Sequence, residues 1–217
     1  MVTATLPVVV CQTTSGVTTT TAALPGSVSV SVPPSDASAG NLAVYSDETG
    51  RLMLVGPTVG WTCTGSFGAD GSGLMALAPV GTSVPTSGTT WHLPASSPVQ
   101  AIVAMESGGS PVQGASLVCP LFSAAKTAAQ QSLGQSCAAS PSQEKVIKIS
   151  SVAAGFSDPA GVAGVGFPSG GQNAANGVGL YLPKPTESTA YLATCTLPAS
   201  QHDLCTAVLN HFAATFG

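Results

Sequence analysis

The sequence predicts an α+β fold: a mainly antiparallel β-sheet with two helices on one face, stabilised by disulfides. Three observations carry this expectation. Short apolar segments, several alternating at period two, are punctuated by 25 glycines and 17 prolines, as turns punctuate β-rich chains. Beyond residue 112 two stretches instead place apolar residues at i+4 steps, the spacing of one helix face. Six cysteines, an even number with no C-x-x-C pair, read as cross-links rather than a zinc site. A single domain over 1–217 is expected, β-rich through 1–112, with two strand–cysteine–helix units within 113–217.

The chain opens with Leu6-Pro-Val-Val-Val-Cys11, a β-branched run whose Pro7 favours an edge strand or the first residues of a strand. Val17–Ala23 is Thr-rich and reads as strand or loop. Ser27–Val32 alternates Ser and Val, so its valines share one face, and Pro33-Pro34 ends it. Asn41–Tyr45 and Arg51–Val55 flank a Gly-containing loop and read as a hairpin. Gly60–Pro79 is the central hairpin, its arms Thr62–Phe67 and Leu74–Leu77 folded on Asp70-Gly71. Asp-Gly supplies the positive φ angles of a tight turn. Trp61 is expected in the core and Trp91 near a loop. Val99–Met105 reads as a strand of a more buried type.

Ala115–Cys119 reads as a short strand leading into a helix from Pro120 to Leu133, with Gly134 as its stop. Leu121, Ala125, Ala129 and Leu133 form its apolar stripe. Val146–Ile149 and Tyr191–Cys195 are further strands. The second leads through cysteine into a helix capped by Ser200 and Asp203, with Leu204, Val208 and Phe212 on its inner face. Phe156–Gly179 is a long Gly-rich stretch with turns at Asp158-Pro159 and Pro168–Gly171. Loops beyond about 12–15 residues are often functional. Asp158, Ser169, Gln172, Asn173 and Asn176 are its candidate binding residues, set against the plainer reading of two surface turns joining strands.

Charged residues make up only 6% of the chain, against roughly 25% in ordinary domains. No apolar run approaches the ~20 residues of a bilayer span, so the surface is expected to be covered by neutral hydroxyls. The five cations (Arg51, Lys126, Lys145, Lys148 and Lys184) are scattered, which argues against nucleic acid. Cross-linked cysteines imply an oxidising compartment. Met1 and the Thr-rich start fit a secreted or envelope-facing chain whose leader has been removed.

A set of motifs runs through most of the chain in order: LPVVVC, GWTC followed by GADGSG, CPLF, DPAGV, PSGG and TCTLPASQHDLC. The set resembles an uncharacterised secreted family of high-GC bacteria, a domain of unknown function. The resemblance implies secretion and a single unit. It brings no activity and no functional residues.

Chemistry-bearing patterns are sparse. The G-x-S-x-G elbow of a serine hydrolase is missing from the sequence, and Ser116 and Ser123 only flank a helix start. His202 and His211 are nine apart and point to opposite helix faces; His92 is distant from both in sequence. Asp70 lacks the ligand pattern of a calcium loop and reads as a turn residue. The acids Asp36, Asp47, Glu48, Asp70, Glu106, Asp158 and Asp203 name no glycosidase pair by themselves. Joining sequence neighbours, one of fifteen pairings, gives Cys11–Cys63, Cys119–Cys137 and Cys195–Cys205 as the expected bridges.

The expected function is a non-catalytic secreted or envelope-associated domain for binding or structure, without cofactor or metal. Its partner would be an extracellular or envelope component, and its oligomeric state is open. The alternative is an extracellular hydrolase acting on envelope polymer or glycan.

Overall fold

The structure, a computed structural model, describes residues 1–15, 22–82, 100–107, 111–133, 137, 140–165, 171–184 and 188–217. The expectations for residues 17–21, Trp91, His92, Gly134 and the turn at 168–170 lie outside these residues. Among these described residues twelve strands and four helices follow one another. The first half holds β1 (Val2–Val10), β2 (Gln12–Ser15), β3 (Ser27–Val32), α1 (Pro34–Ala39), β4 (Leu42–Ser46), β5 (Met53–Pro57), β6 (Trp61–Phe67), β7 (Gly73–Pro79) and β8 (Ala101–Ser107). The second holds α2 (Pro111–Val118), α3 (Ser123–Leu133), β9 (Lys145–Lys148), β10 (Ala153–Asp158), β11 (Ala175–Pro183), β12 (Ser188–Thr196) and α4 (His202–Phe216). The fold is α+β and mainly antiparallel, as the sequence predicts.

The strands form two sheets, a small one ordered β3-β1-β4-β5 and a large one ordered β2-β6-β7-β8-β12-β11-β10-β9. Among the described residues only β1–β4 and β2–β6 pair in parallel. β1 is not a simple edge strand. Val2–Pro7 pair with β3, and Val8–Val10 change sides to pair with β4. Pro7 sits where the ladder changes partner, the place where a missing N–H costs least. The chain then passes Cys11 and joins the edge of the large sheet as β2, so one N-terminal segment belongs to both sheets.

The central hairpin forms as expected. Phe67 faces Gly73 across a loop in which Gly71 takes φ 83°. Trp61, expected in the core, is only half-buried at the start of β6. β7 and β8 are buried on both sides, and their side chains alternate between two cores. Met75, Leu77, Ile102 and Ala104 pack with the small sheet and with Leu204, Val208 and Phe212 of α4. Leu74, Ala76, Val103 and Met105 pack with Ala115, Val118, Ala125 and Ala129 of α2 and α3. The helices therefore divide between both faces of the large sheet, where the sequence placed them on one. An antiparallel sheet can leave a face in water, but here the small sheet adds a third layer that covers it.

The segment Ala115–Cys119, read as a strand, is the end of α2 through Val118 and the first residue of the turn that follows. A short apolar run does not distinguish strand from buried helix by periodicity. Gly114 lets α2 lie against β12, since a Cβ there would come within 2.7 Å of the Ser188 carbonyl oxygen. The expected pair of strand–cysteine–helix units is thus reduced to one, β12 through Cys195 into α4. At its other occurrence Cys119 lies in the turn between two helices, and α3 begins at Ser123 rather than Pro120. α4 begins at His202 after a 3-10 turn over Ala199–Gln201, without the side-chain cap read at Ser200 and Asp203.

All three expected disulfides form. Cys11–Cys63 joins the β1–β2 junction to β6, with Cα atoms 5.3 Å apart. Cys119–Cys137 spans α3 at 5.9 Å. Cys195–Cys205 ties the end of β12 to α4 at 5.6 Å.

Candidate functional site

The polar residues that converge do so around the loop between β4 and β5, residues 47–52. Asp47 sets its shape. Its carboxylate is 1% exposed and accepts from the Thr49 amide at 2.9 Å, the Leu52 amide at 2.7 Å and the Thr49 hydroxyl. A buried carboxylate is tolerable only with such donors around it. Gly50, at φ 73°, allows the chain to close back to Leu52.

This fixed loop presents Arg51 on one side and Glu48 on the other. The Arg51 guanidinium pairs with Glu106 at 2.9 Å, donates to the Gly71 carbonyl oxygen in the central turn, and lies 5.1 Å over the Phe67 ring. Glu106 stands opposite both Gly73 of β7 and Tyr191 of β12, and the Tyr191 side chain hydrogen-bonds it. Burial pushes the Glu106 carboxyl above its ordinary value, although Arg51 pulls the other way. Desolvation thus outweighs the ion pair. Burial, followed by the Glu106 charge, pushes the Tyr191 phenol up as well. Tyr191 also stacks on Phe216 at 4.9 Å, linking the cluster to the end of α4.

The central turn is fastened separately. Asp70 Oδ1 accepts from the Ser72 hydroxyl at 2.6 Å and the Ser72 amide at 3.0 Å, which holds Asp70 below its ordinary value. Its other oxygen accepts from Gln113 at the start of α2 at 3.3 Å. Asp70 is a turn residue, as its sequence context indicates.

On the Glu48 side lies an open cleft of about 440 Å³, lined by Gln12, Thr13 and Thr14 of β2, Thr64 and Gly65 of β6, and Glu48. Its walls carry hydroxyl and amide groups with one carboxylate. Gly65 leaves the floor low, because a Cβ there would come within 2.9 Å of the Thr13 methyl. Such groups donate and accept hydrogen bonds toward a ligand that is itself rich in hydroxyls.

The candidate binding loop read from the sequence is dispersed. Phe156–Asp158 belong to β10 and Ala175–Gly179 to β11, so the connection is shorter than 156–179. Asp158 is 1% exposed, with Gly164 so close that a Cβ there would meet its carboxylate. It is an interior residue. Asn176 is half-buried in β11, opposite Ser157 and Cys195. Gln172 is exposed and Asn173 half-buried in the connection, while Ser169 lies outside the described residues. Glu144 ties this connection down by accepting from the Val165 amide at 2.7 Å.

His202 is exposed at the start of α4, and His211 is half-buried near its end. Burial lowers the His211 proton affinity, and its Nε2 has no hydrogen-bond partner among the described residues. Sequence reading missed the Arg51–Glu106–Tyr191 cluster. Arg51 as the sole cation of the first half was the available signal, because an isolated charge in a neutral chain asks for a partner. Compared with known proteins, the chain matches no protein-family model, no curated protein and no solved structure.

Proposed function

We propose that the chain is a binding domain that works outside the cytoplasm, at or near the cell envelope, and holds neutral hydroxyl-rich material without turning it over. The observation that carries this reading is the cleft of Gln12, Thr13, Thr14, Thr64 and Glu48, whose lining is hydroxyl and amide chemistry. Three carboxylates outside the cleft support the same reading, because each is already engaged within the protein. Asp47 closes residues 47–52, Asp70 closes the central turn, and Glu106 is engaged by Arg51. Three disulfides fit an oxidising compartment. The motif set that resembles a secreted family of high-GC bacteria points the same way.

The alternative, a hydrolase acting on envelope polymer or glycan, has one observation in its favour: the raised proton affinity of Glu106, the property of a general acid. Titration calorimetry against soluble neutral oligosaccharides tests the proposal. Saturable binding that Thr14→Val combined with Thr64→Val removes supports it. Turnover of the same sugars, abolished by Glu106→Gln, would replace it with the hydrolase.

A further inference from the structure

At the end of the large sheet farthest from the cleft, β9 has among the described residues a strand neighbour on one side only, β10. Every residue of β9 is exposed. Every second backbone amide and carbonyl of such a strand faces outward, ready to pair with another strand. Val146, Ile147 and the following Ile149 are 43%, 66% and 61% exposed, three bulky apolar side chains within four positions. Ile149 and Ile147 share the face of Gly155, whose missing side chain leaves it flat. Lys145 precedes the run and Lys148 lies within it, and among the described residues neither forms an ion pair.

We propose that β9 is a docking edge for an extended acidic segment of another protein, which adds to the large sheet as a ninth strand. The lysines select the partner. In a chain with only five cations and a net charge of −4, two cations lie on one exposed four-residue edge. A second copy of the chain is a poor occupant. Opposite residues of an antiparallel pair both aim their backbone groups at the partner or both away, so self-pairing through this edge joins residues of equal parity. In one register Lys145 meets Ile149 and Lys148 meets Val146, and both lysines are left without a counter-charge. Another register would offer Glu144 to Lys148 and leave Lys145 against Ile147. Glu144 is turned inward, where it accepts from the Val165 amide. Lysine on an edge is a common guard against self-association, and here it leaves the apolar side chains open to a partner of opposite charge.

The pairing rule fixes the partner's pattern. Read antiparallel to β9, the positions facing Ile149, Lys148, Ile147, Val146 and Lys145 would be apolar, acidic, apolar, apolar and acidic. Main-chain hydrogen bonds would supply affinity and the two carboxylates specificity.

The test uses the oxidised full chain and a fluorescent peptide with the core Val-Glu-Ile-Val-Glu, read by anisotropy, with sedimentation velocity of the chain alone. The expected result is saturable, salt-sensitive binding to a monomeric chain. Lys145→Glu with Lys148→Glu should weaken it at least tenfold, and the peptide with lysine in place of glutamate should rescue that variant. Both substitutions are on exposed positions, and an unchanged melting temperature verifies the fold. The proposal is overturned if the acidic and lysine peptides bind the native chain equally or neither binds. It is also overturned if the chain dimerises and Ile147→Asp abolishes the dimer, which would make a second copy the occupant. Loss of sugar binding by the Thr14→Val, Thr64→Val variant leaves this outcome unaffected, so the two sites fail separately.

Discussion

Replacing Asp47 by alanine should destabilise the protein more than any other single change at a carboxylate in the described loops. The side chain serves two backbone donors, the Leu52 amide at 2.7 Å and the Thr49 amide at 2.9 Å. Leu52 is fully buried, so its amide would find no water, whereas Thr49 is half-buried and water can replace part of its loss. A buried donor left without a partner costs about 1–3 kcal/mol. One full and one partial loss give about 2–4 kcal/mol for Asp47→Ala. Asp47→Asn keeps a single acceptor oxygen and should cost about half of that. Urea unfolding with the disulfides intact, followed by tryptophan fluorescence, measures both. The variants should shift the midpoint with an unchanged m-value. The same loop carries Glu48 and Arg51, so Asp47→Ala should also weaken ligand binding in the cleft. A cost below about 0.5 kcal/mol would refute the argument that Asp47 organises the loop.

Other expectations follow from the same structure. Cys195→Ser with Cys205→Ser opens a loop of 10 residues between two buried sulfurs and should cost about 2–3 kcal/mol by chain entropy, read as a lower melting temperature. Gly177→Ala forces a methyl group against the Phe156 ring and to 2.5 Å from the Ala193 carbonyl oxygen, so overpacking should cost about 1–3 kcal/mol; a neutral result would show that the β10–β11–β12 region can relax. Glu106 binds its proton more tightly when folded, so its contribution is full below pH 4.5 and is lost as pH rises through the folded value. Glu106→Gln should therefore flatten a decline in stability above pH 4.5, measured by thermal unfolding across buffers. His211 has the opposite sign: its folded proton affinity is lowered, so its contribution is present above pH 6.5 and is lost on acidification through the folded value, and His211→Leu should blunt that loss.

Local signals in the sequence translated well. Asp70-Gly71 made the hairpin, Ser27–Val32 made a strand by alternation, and all three disulfides joined sequence neighbours. What stayed hidden was the third layer. Leu74–Ala78 and Ala101–Met105 are unbroken apolar runs, the mark of strands covered on both faces, and they signalled that helices would lie on two sides. Pro7 was legible as favouring an edge or a strand start, but its place at a change of partner depends on β4, which arrives more than thirty residues later. The site was harder still. Arg51, Glu106 and Tyr191 are joined only by the register of β8 with β12 and by the closure of residues 47–52, and register is a tertiary fact.

The claim that the molecule binds hydroxyl-rich envelope material without cleaving it is open to one direct measurement. The oxidised protein is incubated with insoluble envelope polymer; the pellet is assayed for bound protein and the supernatant for released fragments by mass spectrometry. The account predicts that the native chain pellets with the polymer, that the Thr14→Val, Thr64→Val variant stays in solution, and that neither releases fragments. Fragments released by the native chain but not by a folded Glu106→Gln variant would contradict it.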